Sequence, residues 1–460
     1  MKVIICGAGV IGAGIAKYLA REQTDVIVID SSEDLLCAIS DSLDIQTLHG
    51  SPSHPDILEK AGAQDAQLII AVTNQDEINI LTCQIAHTLF KVPLKIAYLK
   101  DSIYFSSKWD IFGVDRIPID ILISPEREIA RTIAQTIGVP GAFDLIPLAD
   151  RKINVVGVRC GPQCPVAYTP LRQLNNLFPD LEIIILAILR DDQLILPKPD
   201  DEILPGDDVY FIANQSHVIR AMQAFGYDQK ISRNVLILGA GKIGMNLAQE
   251  IEESTPDTTV KLIELNKACA TEAAQHLKRS TVLCGDVLDT QILIEANVFQ
   301  TESVIAVTND NEVNILASLL AKRNGARQAI TLINNPAYSA LVRPLGIDAI
   351  ISPQDITVSS ILHHVRRGRI RSVYTLHQGM GELIEAEVLE SSPLLGNTIQ
   401  AINDPNKFII GAVIRDNQIM MGHESLIFRR GDLVILFAKS NAVHEAENLF
   451  LNNDKYERRI

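Results

Sequence analysis

The sequence predicts an α/β protein with two doubly wound parallel sheets, each followed by a small β-rich domain. Three observations predict it. Apolar strand-like runs alternate with helical patterns from Met1 to about Pro118; the alternation returns from about Ser232 to Ile347; and each stretch gives way to short β-like runs punctuated by Gly, Pro and Asp. Strand and helix in alternation mean βαβ units, hence a parallel sheet covered on both faces.

The first element, Lys2–Cys6, feeds directly into Gly7-Ala8-Gly9-Val10-Ile11-Gly12. In a G-x-G-x-x-G loop the first glycine makes a tight turn, the second lets backbone approach a pyrophosphate, and the third lets helix pack on strand. The phosphates would sit on the helix N-terminus. A second run, Val26–Asp30, ends in an acid placed to accept from a ribose 2′-hydroxyl and to repel a 2′-phosphate. Both signatures occur twice: Val235–Leu238 leads into Gly239-Ala240-Gly241-Lys242-Ile243-Gly244, and Val260–Glu264 again ends in an acid. Between the runs Gln67–Thr73 and Leu94–Leu99, the residues Ile78, Leu81, Ile85 and Leu89 form one apolar helix face. These segments read as Rossmann-like units.

The duplication spans the chain. Gly7 and Gly239 are 232 residues apart, Asp30 and Glu264 234, Thr73 and Thr308 235, Ser124-Pro125 and Ser352-Pro353 228, and Arg190-Asp191 and Arg415-Asp416 225. Each Ser-Pro pair opens a helix, with Ser as N-cap and Pro at the first helical position. The β-like runs that follow are Lys152–Arg159, Glu182–Arg190, Gln193–Leu196 and Asp208–Ala213, matched by Leu383–Leu389, Phe408–Arg415, Gln418–Met421 and Asp432–Ala438. Turn signals at Arg190-Asp191-Asp192, Pro205-Gly206-Asp207, Arg415-Asp416-Asn417 and Arg430-Gly431-Asp432 make these hairpin-rich mixed β modules. The expected domains are 1–122, 123–228 with its leading helix, 229–350, and 351–460 with its leading helix.

With 47% hydrophobic and 21% charged residues, the composition is that of a soluble globular protein. The apolar run Ile183–Leu189 falls far short of the roughly 18 residues that span a bilayer. No export signal is visible, and seven scattered cysteines fit a reducing cytosol better than a disulfide framework. A formal charge of −15 opposes binding to nucleic acid or an anionic membrane as a whole. The local exception, His363-His364-Val365-Arg366-Arg367-Gly368-Arg369-Ile370-Arg371, is either a solvated helix end or a contact with an acidic partner surface. Cys160 and Cys164 stand without a second pair, so free thiols are expected there and no metal site.

The glycine loops, strand-end acids, A-V-T-N segments, E-x-N helices, S-P helices and R-D…G-D modules together resemble the tandem TrkA family, cytosolic regulatory subunits of bacterial Trk potassium uptake systems. The resemblance covers nearly the whole chain, in the order RCK N (KTN), TrkA-C, RCK N, TrkA-C. It implies binding of NAD(H) and of ATP/ADP, assembly as a homo-oligomeric, tetrameric ring, and docking on an integral membrane potassium channel subunit of the Trk type at the inner face of the plasma membrane. Carried over position by position, the nucleotide-binding residues are Gly7, Ala8, Gly9, Val10, Ile11, Gly12, Asp30, Gly50, Ser51, Thr73, Asn74 and Tyr98 in the first half. In the second they are Gly239, Ala240, Gly241, Lys242, Ile243, Gly244, Glu264, Gly285, Asp286, Thr308 and Asn309. Thr73 and Thr308 either face the ligand or merely end their strands. Where the family often carries an arginine in the fifth-strand segment, this chain has Tyr98 and Leu332, and neither supplies a cation.

Two other readings compete. An NAD-dependent dehydrogenase needs a general acid or base close to the nicotinamide, and the few histidines of the β modules (His217; His377, His423 and His444) do not match between copies. A redox-sensing DNA-binding regulator fits the negative charge poorly and lacks a helix-turn-helix arm.

Overall fold

The computed structural model describes residues 1–450 apart from 22–23, 106–107, 110, 114–115, 179–180, 192, 229–232, 366–369, 377–378 and 424. The chain opens with β1 (Lys2–Cys6), α1 (Val10–Arg21), β2 (Asp25–Asp30), α2 (Glu33–Ser40), β3 (Gln46–His49), α3 (Pro55–Lys60), β4 (Leu68–Ala71), α4 (Asp76–Thr88), β5 (Leu94–Tyr98) and β6 (Ile121–Ile123). The strands form one parallel sheet in the order β3-β2-β1-β4-β5-β6. Val3, Ile4, Ile5 and Cys6 of β1 are all fully buried, because helices cover both faces and leave no polar side to alternate with. Val3, Ile5, Val28 and Ile70 pack against Ile15 and Leu19 of α1, while Ile4, Ile29, Ile69 and Ala97 pack against Leu58, Cys83 and Ala86 of α3 and α4. Strand order reverses between β1 and β4, so the loops leaving their carboxyl ends diverge and open a crevice.

After α5 (Pro125–Ile137) come β7 (Ala142–Leu148), β8 (Ile153–Arg159), α6 (Leu171–Leu177), β9 (Ile183–Arg190), β10 (Gln193–Ile195), β11 (Asp208–Asn214) and α7 (Val218–Ala224). The five strands form an antiparallel sheet in the order β10-β9-β11-β8-β7. The R-D…G-D pattern closes it. Arg190 donates from Nε to Asp207 Oδ1 at 2.9 Å and from Nη2 to Oδ2 at 2.8 Å, and the buried Asp207 also accepts from the Leu204 amide at 2.7 Å. A planar guanidinium held at both oxygens pins the long loop before β11 to the hairpin end of β9.

The second half repeats this plan with β12 (Asn234–Leu238), α8 (Lys242–Ser254), β13 (Thr259–Glu264), α9 (Lys267–His276), β14 (Thr281–Cys284), α10 (Thr290–Glu295), β15 (Ser303–Ala306), α11 (Asn311–Arg323), β16 (Gln328–Leu332), α12 (Pro336–Val342) and β17 (Ala349–Ile351). Its parallel sheet runs β14-β13-β12-β15-β16-β17. Then follow α13 (Pro353–Val365), β18 (Ile370–Leu376), β19 (Gly381–Glu387), α14 (Ile399–Ile402), β20 (Phe408–Arg415), β21 (Gln418–Met421), β22 (Leu433–Lys439) and α15 (Val443–Asn448), with sheet order β18-β19-β22-β20-β21. Arg415 grips Asp432 at 2.8 and 2.7 Å as Arg190 grips Asp207.

Two features differ from the sequence reading. Each small sheet has a further edge strand, β7 and β18, that the reading did not include. The β7 stretch contains Asp144 and Pro147, which lower strand propensity, yet a proline is tolerated on an edge where its missing N–H faces no partner. The chain also forms two compact bodies, and the helix Pro353–Val365 belongs with Met1–Ile129 rather than with the module it precedes. Its Ile361, Leu362 and Val365 lie in the same apolar layer as Val3, Ile15 and Leu19. In the other body the two antiparallel sheets pack face to face, Leu186, Tyr210 and Ile212 with Leu383, Ile435 and Phe437. A Cβ on Gly411 would come within 2.9 Å of Leu186 Cδ2 and 3.0 Å of Ile212 Cγ2, so the sheets meet through a glycine.

Candidate functional site

The three glycines of each loop are there for different reasons. Gly7 has φ +119°, and a Cβ on it would lie 2.8 Å from the Val72 carbonyl oxygen. A Cβ on Gly12 would lie 1.9 Å from the Gly7 oxygen. Gly9 has neither constraint: no atom lies within 4 Å of where its Cβ would be, and its φ is not left-handed. The second loop repeats all three, with φ +108° at Gly239, 2.0 Å between a Gly244 Cβ and the Gly239 oxygen, and open space beside Gly241 at φ −67°. Among the described residues nothing requires a glycine at 9 or 241.

The strand-end acids hold the loops. Asp30 accepts from the Ala8 amide at 2.6 Å and from the Ser32 amide at 2.8 Å, and its own carbonyl accepts from Gly50 N at 2.8 Å. Glu264 does the same with Ala240 at 2.8 Å, Asn266 at 2.9 Å and, through its carbonyl, Gly285 at 2.9 Å. A carboxylate has about four acceptor positions, so a hydroxyl donor can be added to the two already used. Gly50, at φ +153°, and Gly285 face Ile57 and Ile292, where a Cβ would approach to 2.6 and 2.8 Å. Ser51 bonds Ser53 at 2.8 Å, and Asp286 accepts from Leu288 N at 2.9 Å, so both stabilise their own turns.

Opposite each glycine loop, the exit of the fourth strand is clipped by an asparagine that sequence reading noticed only as part of E-x-N. Asn79 is fully buried; its Oδ1 accepts from Thr73 N at 2.9 Å and Thr73 Oγ1 at 2.7 Å, and its Nδ2 donates to Thr73 O at 3.1 Å and Tyr98 O at 2.8 Å. Asn314 repeats all four bonds with Thr308 and Leu332, at 2.8, 2.7, 3.0 and 3.1 Å. The threonine hydroxyls therefore serve the turn, while Asn74 and Asn309 are exposed beyond it. The matched asparagine was the available signal, since two donors and an acceptor can join two strand ends at once. Asp76 extends the clip, accepting from the amides of Lys100 and Asp101 at 3.0 and 2.8 Å; its counterpart Asn311 accepts from Asn334 N at 2.8 Å.

Tyr98 turns inward. It is 8% exposed and lies in the apolar layer with Ile5 and Ile123, and burial first, then Glu126 and Asp76, pushes its phenol far above the ordinary tyrosine range. The cation near this strand end is Lys100, with Nζ 5.8 Å from the Tyr98 ring centroid. Its counterpart 234 residues on is Asn334, and in the second half the lysine is Lys242, at the fourth loop position, where the first half has exposed Val10. Ile11 and Ile243 are half-buried.

Among the described residues no cluster of His, Cys, Asp or Glu could hold a metal ion, and no helix is long and apolar enough to cross a membrane. Cys160 and Cys164 are free thiols, both buried; burial and then the Cys164 thiol raise the pKa of Cys160. The basic residues Arg366 to Arg369, and His377, lie outside the described residues.

The TrkA-N domain model matches residues 3–125 and 235–353, and the TrkA-C domain model 155–226 and 383–451. A Trk system potassium uptake protein TrkA of Azorhizobium caulinodans is 43% identical over 451 residues, and that of Halomonas elongata 38% over 454, each match covering 98% of both chains. These relatives bear the name of a potassium uptake protein and not of an enzyme. Among solved structures, the GsuK RCK domain superposes with TM-score 0.59 at 15% identity, covering 98% of this chain and 94% of its own. A structure titled GsuK channel bound to NAD superposes equally well over 78% of its length. Two TrkA-N and two TrkA-C domains in alternation, with full-length relatives at this identity, place the chain in the TrkA family of Trk system potassium uptake proteins.

Proposed function

We propose that this chain is a nucleotide-sensing regulatory subunit that binds NAD(H), ATP or ADP in its two glycine-loop clefts and so gates a membrane potassium channel subunit of the Trk type. The observation that carries the reading is the open space beside Gly9 and Gly241: two positions without a side chain where no atom of the described residues needs the room. A pyrophosphate lying against the N-terminal turns of α1 and α8 would use it, with the strand-end acids toward the ribose. The NAD named with the GsuK channel supports the ligand class. A ligand shifts gating only by its differential affinity for two conformations, and a homo-oligomeric ring docked on the cytoplasmic face of the channel would pass that difference on.

The test is potassium flux through the reconstituted channel subunit, with and without this chain, while NADH, ATP and ADP are varied. Flux should change with the nucleotide only when the chain is present. Binding should also disfavour NADPH, because Asp30 and Glu264 would each face its 2′-phosphate. Flux that ignores chain and nucleotide, or steady oxidation of a substrate with NAD, would return the case to a dehydrogenase.

A further inference from the structure

In each glycine loop the carbonyl of the fourth residue accepts from a side-chain amide, but the two amides come from different places. In α8, Asn246 donates from Nδ2 to the Lys242 carbonyl at 2.7 Å, one turn back on its own helix. The residue 232 positions earlier is Gly14, which has no side chain to offer. The matching carbonyl, that of Val10, instead accepts from Nε2 of Gln354 at 3.5 Å, and Gln354 lies in the first turn of α13. Gly14 is what admits it: a Cβ there would stand 2.9 Å from Val358 Cγ2 and 3.5 Å from Gln354 Nε2. The first loop has thus exchanged a donor on its own helix for one encoded 344 residues downstream.

We propose that Gln354 is a positioning residue of the first cleft, doing from α13 what Asn246 does for the second. The proposal rests on the nucleotide reading above. Val10 opens the helical turn whose amides would meet phosphate; a donor on its carbonyl keeps the turn set before the ligand arrives, which lowers the ordering cost of binding. The first cleft is therefore incomplete without a helix from the second half of the chain, and the second cleft carries its own donor.

The experiment uses the full chain, with NADH titrated calorimetrically while one cleft is silenced by Gly9→Val or Gly241→Val. Gln354→Ala should weaken the first cleft by about three- to tenfold, the range of one neutral hydrogen bond, and leave the second unchanged. Asn246→Ala should do the reverse. Adding Gly14→Asn with Val358→Ala to Gln354→Ala copies the α8 arrangement and should restore the first cleft. Hydrogen exchange without nucleotide at the Ala13 amide, which closes the first turn of α1 on the Gly9 carbonyl at 2.9 Å, should rise in Gln354→Ala and fall back in the triple variant. Equal effects on both clefts, no effect on either, or unchanged exchange in the α1 turn would overturn the proposal. A wild-type chain that binds no nucleotide would instead refute the function proposed above, and the exchange measurement would still decide the role of Gln354.

Discussion

Gly9→Ala and Gly12→Ala change two positions of one loop by the same methyl group, and the structure assigns them opposite consequences. At Gly12 the new Cβ would sit 1.9 Å from the Gly7 oxygen, where real Cβ atoms keep at least 3.0 Å. The start of α1 must then move by more than an ångström against β1, where Val3 to Cys6 are fully buried, and overpacking of this kind costs about 3 kcal/mol. At Gly9 there is open space and an ordinary φ, so alanine removes unfolded-state freedom and should stabilise by about 0.4–1 kcal/mol. For a domain of this size a 3 kcal/mol loss lowers the melting transition by roughly 10 °C. Scanning calorimetry of the two variants should place Gly12→Ala well below wild type and Gly9→Ala at or slightly above it. With the second cleft silenced, Gly9→Ala should nevertheless lose about tenfold or more in NADH affinity, about 1.4 kcal/mol. A Gly9→Ala protein that melts as low as Gly12→Ala, or binds NADH at full strength, would show that the open space is not a ligand position.

Three further outcomes follow from particular side chains. Asn79→Asp keeps the acceptors for Thr73 but turns both donors into a carboxylate facing two carbonyls; we expect a loss of about 3 kcal/mol, read as faster amide exchange at Thr73, and Asn79→Asp behaving as wild type would dismiss the clip. Alkylation of the native chain should label exposed Cys37, Cys269 and Cys284 and spare Cys6, Cys83, Cys160 and Cys164, since burial pushes Cys83, for example, up to about 12; rapid native labelling of Cys160 would contradict the buried pair. Burial raises the pKa of Glu252, but the amides of Lys278, Arg279 and Ser280 and the Ser280 hydroxyl outweigh it and leave the carboxyl below its ordinary 4.5. Its stabilisation is therefore present above pH 4.5 and lost as pH falls through the lower folded value, and Glu252→Gln should flatten that acid limb of thermal stability; parallel limbs in the two proteins would rule the contribution out.

The parallel sheets were legible because their information is local. Apolar runs, glycine loops and strand-end acids recur in register, and each constrains only its neighbours. The edge strands β7 and β18 were not, since an edge position relaxes the residue preferences that announce a strand. Nor was the lodging of α13, whose Thr357, Ile361, Leu362 and Val365 define a buried face without saying which sheet buries it. At the cleft, the glycines and acids were readable from spacing, but the internal duties of the acids, the inward turn of Tyr98 and the reach of Asn79 to Tyr98 O depend on approach between segments distant in sequence. Lys100 lies two residues beyond Tyr98, past the end of β5, where it leaves no mark on the pattern of the strand itself.

The glycine where the two antiparallel sheets meet bears on why two copies share one chain. Arg190 and Arg415 set the local offset at 225, and by that offset Gly411 is the counterpart of Leu186, the residue against which it packs. Two separate identical subunits meeting on a twofold axis must present the same residue from both sides: leucine against leucine, which the 2.9 Å approach does not admit, or glycine against glycine, which leaves a void. Covalent tandem linkage lifts that restriction, so a bulky side chain on one copy can be answered by its absence on the other, and one unequal pair commits each half to the other and against its own double.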